Sequence, residues 1–165
     1  MRPLVAVILA SLWIGAAVLL AASVAPAAFA TIPSHAVAGA LVGKVLSPLF
    51  LSGFIGAVVL TITGVQDATR GQHGGPGHRR LSHLTAPVVW GLACGVSQFI
   101  LAPRIHAIQV AIGGPVDALA ADDGRRVAFG QLHATILGVF VLAIIAAAAI
   151  VTTSAAAARM RLSHT

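Results

Sequence analysis

The sequence predicts an all-α polytopic membrane protein, four transmembrane helices packed as a bundle in one domain over residues 1–165. Three observations predict it. Hydrophobic residues make up 58% of the chain, and Asp, Glu, Lys and Arg only 8%, against about 25% charged residues in an ordinary soluble domain. So few charges cannot solvate a surface in water. Four apolar runs are each long enough to cross about 30 Å of hydrocarbon, a crossing that takes about 20 residues. The ten Lys and Arg residues outnumber the four acids and fall at the ends of those runs, where they set topology and meet anionic headgroups. With no basic stripe interleaved with aromatics, the excess positive charge points to the lipid bilayer as partner and away from nucleic acid.

The first span is expected at about 4–29, with no charge between Pro3 and Lys44. Arg2, the apolar stretch and Ala28, Phe29 and Ala30 also fit a signal peptide with its cleavage site. The stretch exceeds the 7–15 apolar residues usual there, and Trp13 at its centre reads as a helix that stays and packs. Pro33 marks a tight turn into the second span, at about 36–64, which holds Lys44 and Pro48 in its first half. A Gly-rich polar loop, 65–82, follows. The third span is expected at about 84–103. Beyond it Ile105, Ile108 and Ile112 keep helical spacing until Gly113, Gly114 and Pro115 break it. The fourth is expected at about 129–158. Inside hydrocarbon every backbone hydrogen bond must close within the segment, so each run reads as helix.

Four spans put both termini and the 65–82 loop on one side. That side holds Arg2, Arg70, Arg79, Arg80, Arg159 and Arg161, against Arg104, Arg125, Arg126 and Lys44 on the other. The positive-inside rule then places both termini in the cytoplasm, with a bacterial inner (plasma) membrane as the expected location.

Helices in lipid associate through small residues and a few polar contacts. On the third span Pro87, Gly91, Cys94, Gly95, Gln98 and Ala102 share a face expected to point inward, and Val89, Leu92, Val96 and Ile100 the face toward lipid. Ser11, Gly15 and Ala22 make a similar small-residue stripe on the first. Gly39 with Gly43, and Gly53 with Ala57, repeat small-xxx-small spacing on the second. Cys94, the only cysteine, excludes an intrachain disulfide and a Cys-based zinc site, and reads as a small buried hydrophobe.

No phosphate-binding glycine loop, zinc-protease motif or nucleophile elbow is present. No Asp or Glu falls in a predicted span, which counts against an ion-coupled transporter. Threading the spans brings six residues toward the non-cytoplasmic side. Lys44, Arg104 and Arg126 are the candidate ligand-binding residues, and His35, His106 and His133 the candidate metal or haem ligands, because imidazole suits haem iron and copper. Interfacial anchoring, with the long cations snorkelling to headgroups, explains the same placement. Arg126 and His133 are two turns apart on one face, with Phe129 between them, so this face is expected to turn inward to a polar pocket. His73, His78 and His83 are spaced unlike a helix-face ligand set and read as a solvated loop.

These features resemble the transmembrane-protein-205-like domain family, small four-helix membrane proteins catalogued as a domain of unknown function. The resemblance is carried by Trp13, Ile14 and Gly15, by Val-Ala-Pro-Ala-Ala-Phe at 24–29, by residues 43–50, and by Ala102, Pro103, Arg104 and Ile105. Its most specific part is 126–133, where Arg126, Phe129 and His133 match an Arg-x-x-Phe-x-x-x-His signature. The resemblance implies the fold and the membrane but no reaction. A looser similarity links such proteins to four-helix families that handle copper or haem, including copper-resistance-D-like proteins. The expected function is a non-enzymatic structural, stress-related or small-molecule-handling role. The alternative is a haem- or copper-binding membrane protein using the His/Arg cluster. Membrane-protein partners and a homo-oligomer both remain compatible with the sequence.

Overall fold

The computed structural model describes the backbone over residues 2–69 and 77–162 and the side chains over 3–67, 69 and 84–157. Within these residues the chain is helical with no strand. Four rods, Pro3–Thr31, His35–Asp67, Leu84–Ile112 and Gly124–Ala157, are long and apolar enough to cross a membrane. The first consists of α1 (Arg2–Leu19), a π-helical turn at Leu20–Val24 and α2 (Ala25–Thr31). The second is α3 (His35–Thr69). The third consists of α4 (Gly77–Val96), a π-helical turn at Ser97–Leu101 and α5 (Ala102–Ile112). The fourth is α6 (Gly124–Leu162). His73, His78 and His83, and Arg2, Arg70, Arg79, Arg80, Arg159 and Arg161, have side chains outside the described residues.

Each π-turn has the same local cause. Pro26 and Pro103 lack an N–H, and a proline ring inside an α-helix collides with the carbonyl four residues back. Widening the preceding turn relieves that collision. The N–H of Ala25 reaches the Leu20 carbonyl, and that of Ala102 the Ser97 carbonyl, five residues back in each case. The rod then resumes as ordinary helix. The third rod stops where the sequence requires it. Gly113 takes a left-handed φ of 68° and its N–H closes on the Gln109 carbonyl at 3.1 Å, a glycine cap that Gly114 and Pro115 cannot extend.

Packing is closest between α3 and α4, between α1 and α6, and between α4 and α6, and looser between α1 and α3. The interior is built from small side chains, including Ala10, Ala17, Ala57, Ala93, Ala143 and Ala147. Most large aliphatics point outward, among them Leu4, Leu12, Leu19, Ile55, Leu92 and Ile145, while Leu20, Leu101, Ile136 and Ile150 are buried. Such an outer face would be an aggregation surface in water; against acyl chains it costs nothing. Four rings cross the middle of the bundle. Trp13 and Trp90 meet edge-on at 5.4 Å between centroids, Phe50 and Phe140 at 5.7 Å, and Trp13 and Phe140 at 6.2 Å. Edge-to-face pairs of this kind are worth about 0.5–1.5 kcal/mol beyond their area.

The third span largely follows its expected faces. Pro87, Gly91 and Cys94 are buried, Gly95, Gln98 and Ala102 half-buried, and Val89, Leu92 and Ile100 exposed. Val96 departs from expectation and is half-buried against the core. The first span corrects the sequence reading outright. Ser11, Gly15 and Ala22 are exposed, and Ala10, Trp13, Ala17 and Leu20 face inward. Trp13 sets that register, since its ring fills the centre and carries the small residues at helical spacing inward with it. On α3, Gly53 and Ala57 are buried as expected, while Gly43 is exposed with nothing near it.

Candidate functional site

The six candidate residues gather toward the end of the bundle where the first span turns into the second and the third connects to the fourth. His35 opens α3 and lies 3.4 Å from Asp117 of the long connection, both side chains being exposed. Lys44, Arg104, His106 and His133 are all exposed. Arg126 is half-buried, and its guanidinium donates to the Leu119 carbonyl at 2.7 Å. The His133 ring stacks on Phe129, one turn earlier, with centroids 5.9 Å apart and planes 12° from parallel.

His133 is therefore exposed and not enclosed in an inward pocket as expected. Ile136, Phe140, Ala143 and Ala147 occupy the buried positions of α6; His133, seven residues before Phe140, continues that stripe toward the start of the helix but is exposed at its level. Among the described residues no group of three or more His, Cys, Asp or Glu lies close enough to hold a metal ion. The imidazoles take separate local roles: His35 beside an acid, His133 against a ring. Arg125 and Asp123 complete the picture at the start of α6. The Arg125 guanidinium donates to Asp123 at 3.2 and 2.9 Å, and the Arg125 N–H donates to the same carboxylate at 2.8 Å. These bonds, with the positive charge, hold the Asp123 carboxyl down at about 2 from an ordinary 3.8. Asp123 is thus an acidic cap on a helix N-terminus, where a negative charge is favoured.

The interior offers a second polar set. Gln98 Nε2 donates to Ser47 Oγ at 3.0 Å across the α3–α4 contact. Gln98 Oε1, Ser97 Oγ and Trp90 Nε1 are buried without a hydrogen-bond partner. Of these, sequence reasoning placed only Gln98 inward; Ser97 and Trp90 were not singled out. Two apolar grooves also open sideways, one of about 260 Å³ between α1 and α3 that reaches Trp13 and Trp90, and one of about 220 Å³ between α3 and α4 beside Gly91. Their walls continue the lipid-facing surface.

Four apolar rods with a small-residue interior and a large-residue exterior define an integral membrane protein of the four-helix class. The chain belongs to the family described as a domain of unknown function, DUF4149, which matches residues 8–113. That match covers the first three spans and ends at the Gly113 cap. It does not single out the transmembrane-protein-205-like group, whose most specific motif in this chain, 126–133, lies beyond it. No curated protein and no solved structure matches the chain.

Proposed function

We propose that this protein is a non-enzymatic membrane component that handles a small anionic group, a lipid headgroup phosphate or a free anion, at the end of the bundle bearing Lys44 and Arg104. One observation carries the reading. Lys44 and Arg104 stand exposed on apolar spans, and among the described residues neither is paired with an acid. Arg125 and Arg126 are by contrast occupied by Asp123 and by the Leu119 carbonyl. A cation kept within a span is a functional candidate by default, given what its insertion costs. Its long stem lies along apolar surface while the charge reaches the phosphate level. The resemblance to transmembrane-protein-205-like proteins, resting on Arg126, Phe129 and His133, agrees with a small-molecule or stress-related role and names no ligand.

The test is retention of anionic over zwitterionic lipid by native mass spectrometry of the purified protein, alongside titration with inorganic phosphate. Lys44→Gln with Arg104→Gln should abolish the preference. Loss in the lipid arm alone assigns a headgroup, and loss in the phosphate arm a free anion. An unchanged preference in both would refute the reading. The alternative, haem or copper held by His35, His106 and His133, draws on the placement of all three toward one end. It is decided by the absorption spectrum and metal content of protein taken from its own membrane.

A further inference from the structure

Several features of the first two spans recur in the last two at fixed intervals. Trp13 and Trp90 are 77 residues apart, and so are the two π-turns, Leu20–Val24 and Ser97–Leu101, and the prolines after them, Pro26 and Pro103. The buried positions Ala10, Trp13, Ala17 and Leu20 fall on Pro87, Trp90, Cys94 and Ser97 at the same interval, and all eight are buried. The second and fourth spans match at an interval of 90. Phe50, Gly53 and Ala57 fall on Phe140, Ala143 and Ala147, again all buried. Mates meet across the centre, Trp13 on Trp90 and Phe50 on Phe140. The longer connection from Ile112 to Gly124 absorbs most of the difference between the two intervals.

The repeat shows where the halves differ. The first span carries Ala17, Leu20 and Ala21 where the third carries Cys94, Ser97 and Gln98. Trp13 Nε1 donates to the Leu49 carbonyl at 2.8 Å, whereas Trp90 Nε1 has no partner. Among the described residues, the buried side-chain polar atoms without a partner, Trp90 Nε1, Ser97 Oγ and Gln98 Oε1, thus belong to the third span. Ser97 is fully buried. A helical hydroxyl ordinarily satisfies itself on a carbonyl three or four residues back, as Ser52, Thr61, Thr135 and Thr153 do here. Ser97, opening the π-turn, does not. At the same level Pro48 has no N–H to give the Lys44 carbonyl, and proline-freed carbonyls inside a membrane are commonly satisfied by hydroxyls and ordered water. π-turns themselves cluster at functional sites.

We propose that Ser97 and Gln98 of the third span, with Ser47 of the second, form a buried water-binding site that has no counterpart at the matching positions Leu20 and Ala21 of the first. The set offers a hydroxyl that donates and accepts and an amide oxygen that accepts. A water donating to Gln98 Oε1 and accepting from Ser97 Oγ–H suits it, because a buried water needs two to four polar partners.

The repeat supplies the control for a test on the full chain in lipid nanodiscs, with Cys94→Ala in every variant. Ser97→Cys is compared with Leu20→Cys, its buried mate, by the rate of mass gain with methyl methanethiosulfonate, a small uncharged reagent. Only the thiolate attacks it, and a thiol ionises only where water solvates the charge. Ser97→Cys should react at least about tenfold faster than Leu20→Cys. Any smaller ratio, including no reaction at either position, overturns the site. If Ser97→Cys does not fold, Gln98→Cys against its mate Ala21→Cys is judged by the same ratio.

Discussion

Trp13 Nε1 donates a 2.8 Å hydrogen bond to the Leu49 carbonyl, tying the first span to the second across their looser contact. The same carbonyl accepts from Ser52 Oγ at 2.9 Å, so it keeps a side-chain partner if the indole is lost. Trp13→Phe should therefore cost only about 0.5–1.5 kcal/mol, the range of a single hydrogen bond. Trp13→Ala also empties the centre, where the ring meets Trp90 and Phe140, and should cost about 3–5 kcal/mol. Thermal aggregation in detergent separates the two. Equal losses would mean that the hydrogen bond and not the ring secures the span.

Gly53 and Gly43 look alike in the sequence, each in a small-xxx-small pair, yet the structure separates them. A Cβ on Gly53 would meet Trp13 Nε1 at 2.5 Å and Cys94 Sγ at 2.7 Å, while one on Gly43 meets nothing within 4 Å. Gly53→Ala should destabilise by about 1–3 kcal/mol, the usual cost of overpacking. Gly43→Ala should be neutral or slightly stabilising, since alanine is the better helix former. Melting of both variants in one detergent checks the contrast, and a destabilised Gly43→Ala would place an unseen neighbour on that face.

The spans were legible because hydrocarbon imposes one rule, apolar and helical for about 20 residues, on every stretch that crosses it. Which face turns inward was legible only where chemistry differs around the helix. Gln98 and Gly91 announce the inner face of the third span; in the first, Ser11, Gly15 and Ala22 compete with Ala10, Ala17 and Leu20, and size alone cannot choose between two small-residue stripes. Trp13 chooses, by filling the centre. The cluster around His133 failed to become a pocket for a related reason. A seven-residue spacing puts Arg126, His133 and Phe140 on one face without saying how far along α6 the other helices cover it; they cover Phe140 and leave His133 exposed. The 13-residue spacing from Trp13 to Pro26 and from Trp90 to Pro103 was the available signal for the central rings and the paired π-turns.

Asp123 gives a pH-dependent element outside the spans. Hydrogen bonds from Arg125 hold its carboxyl at about 2, below the ordinary 3.8. A depressed carboxylate stabilises the folded state only while ionised. Its capping of α6 is therefore complete above about pH 4 and fades as the pH falls toward 2. The pair is exposed and screened by salt, so the readout should be local. A carbon-13 NMR titration of the Asp123 carboxyl should show a midpoint near 2, rising toward the ordinary value in Arg125→Gln. An ordinary midpoint in the unmodified protein would show that the bonds at the start of α6 do not persist in solution.

Orientation rests on arginine asymmetry. Arg2, Arg70, Arg79, Arg80, Arg159 and Arg161 flank the ends of the spans on the side of the termini and the 65–82 loop. Arg104, Arg125, Arg126 and Lys44 fall toward the other. Lys and Arg on the cytoplasmic side direct insertion, and acids contribute little; Asp117, Asp122 and Asp123 therefore do not offset Arg125 and Arg126. Nor does Arg104 count fully, because it lies within the third rod, two turns short of its end at Ile112. The bias is thus stronger than the bare count. Reporter fusions after Thr165 and within 71–77 should behave as cytoplasmic, and a fusion at Gly114 as exported. The reverse pattern at all three sites would invert the orientation and move Lys44 and Arg104 to the cytoplasmic leaflet. There they would meet the anionic lipids of that surface, and the anion-handling reading would transfer with them.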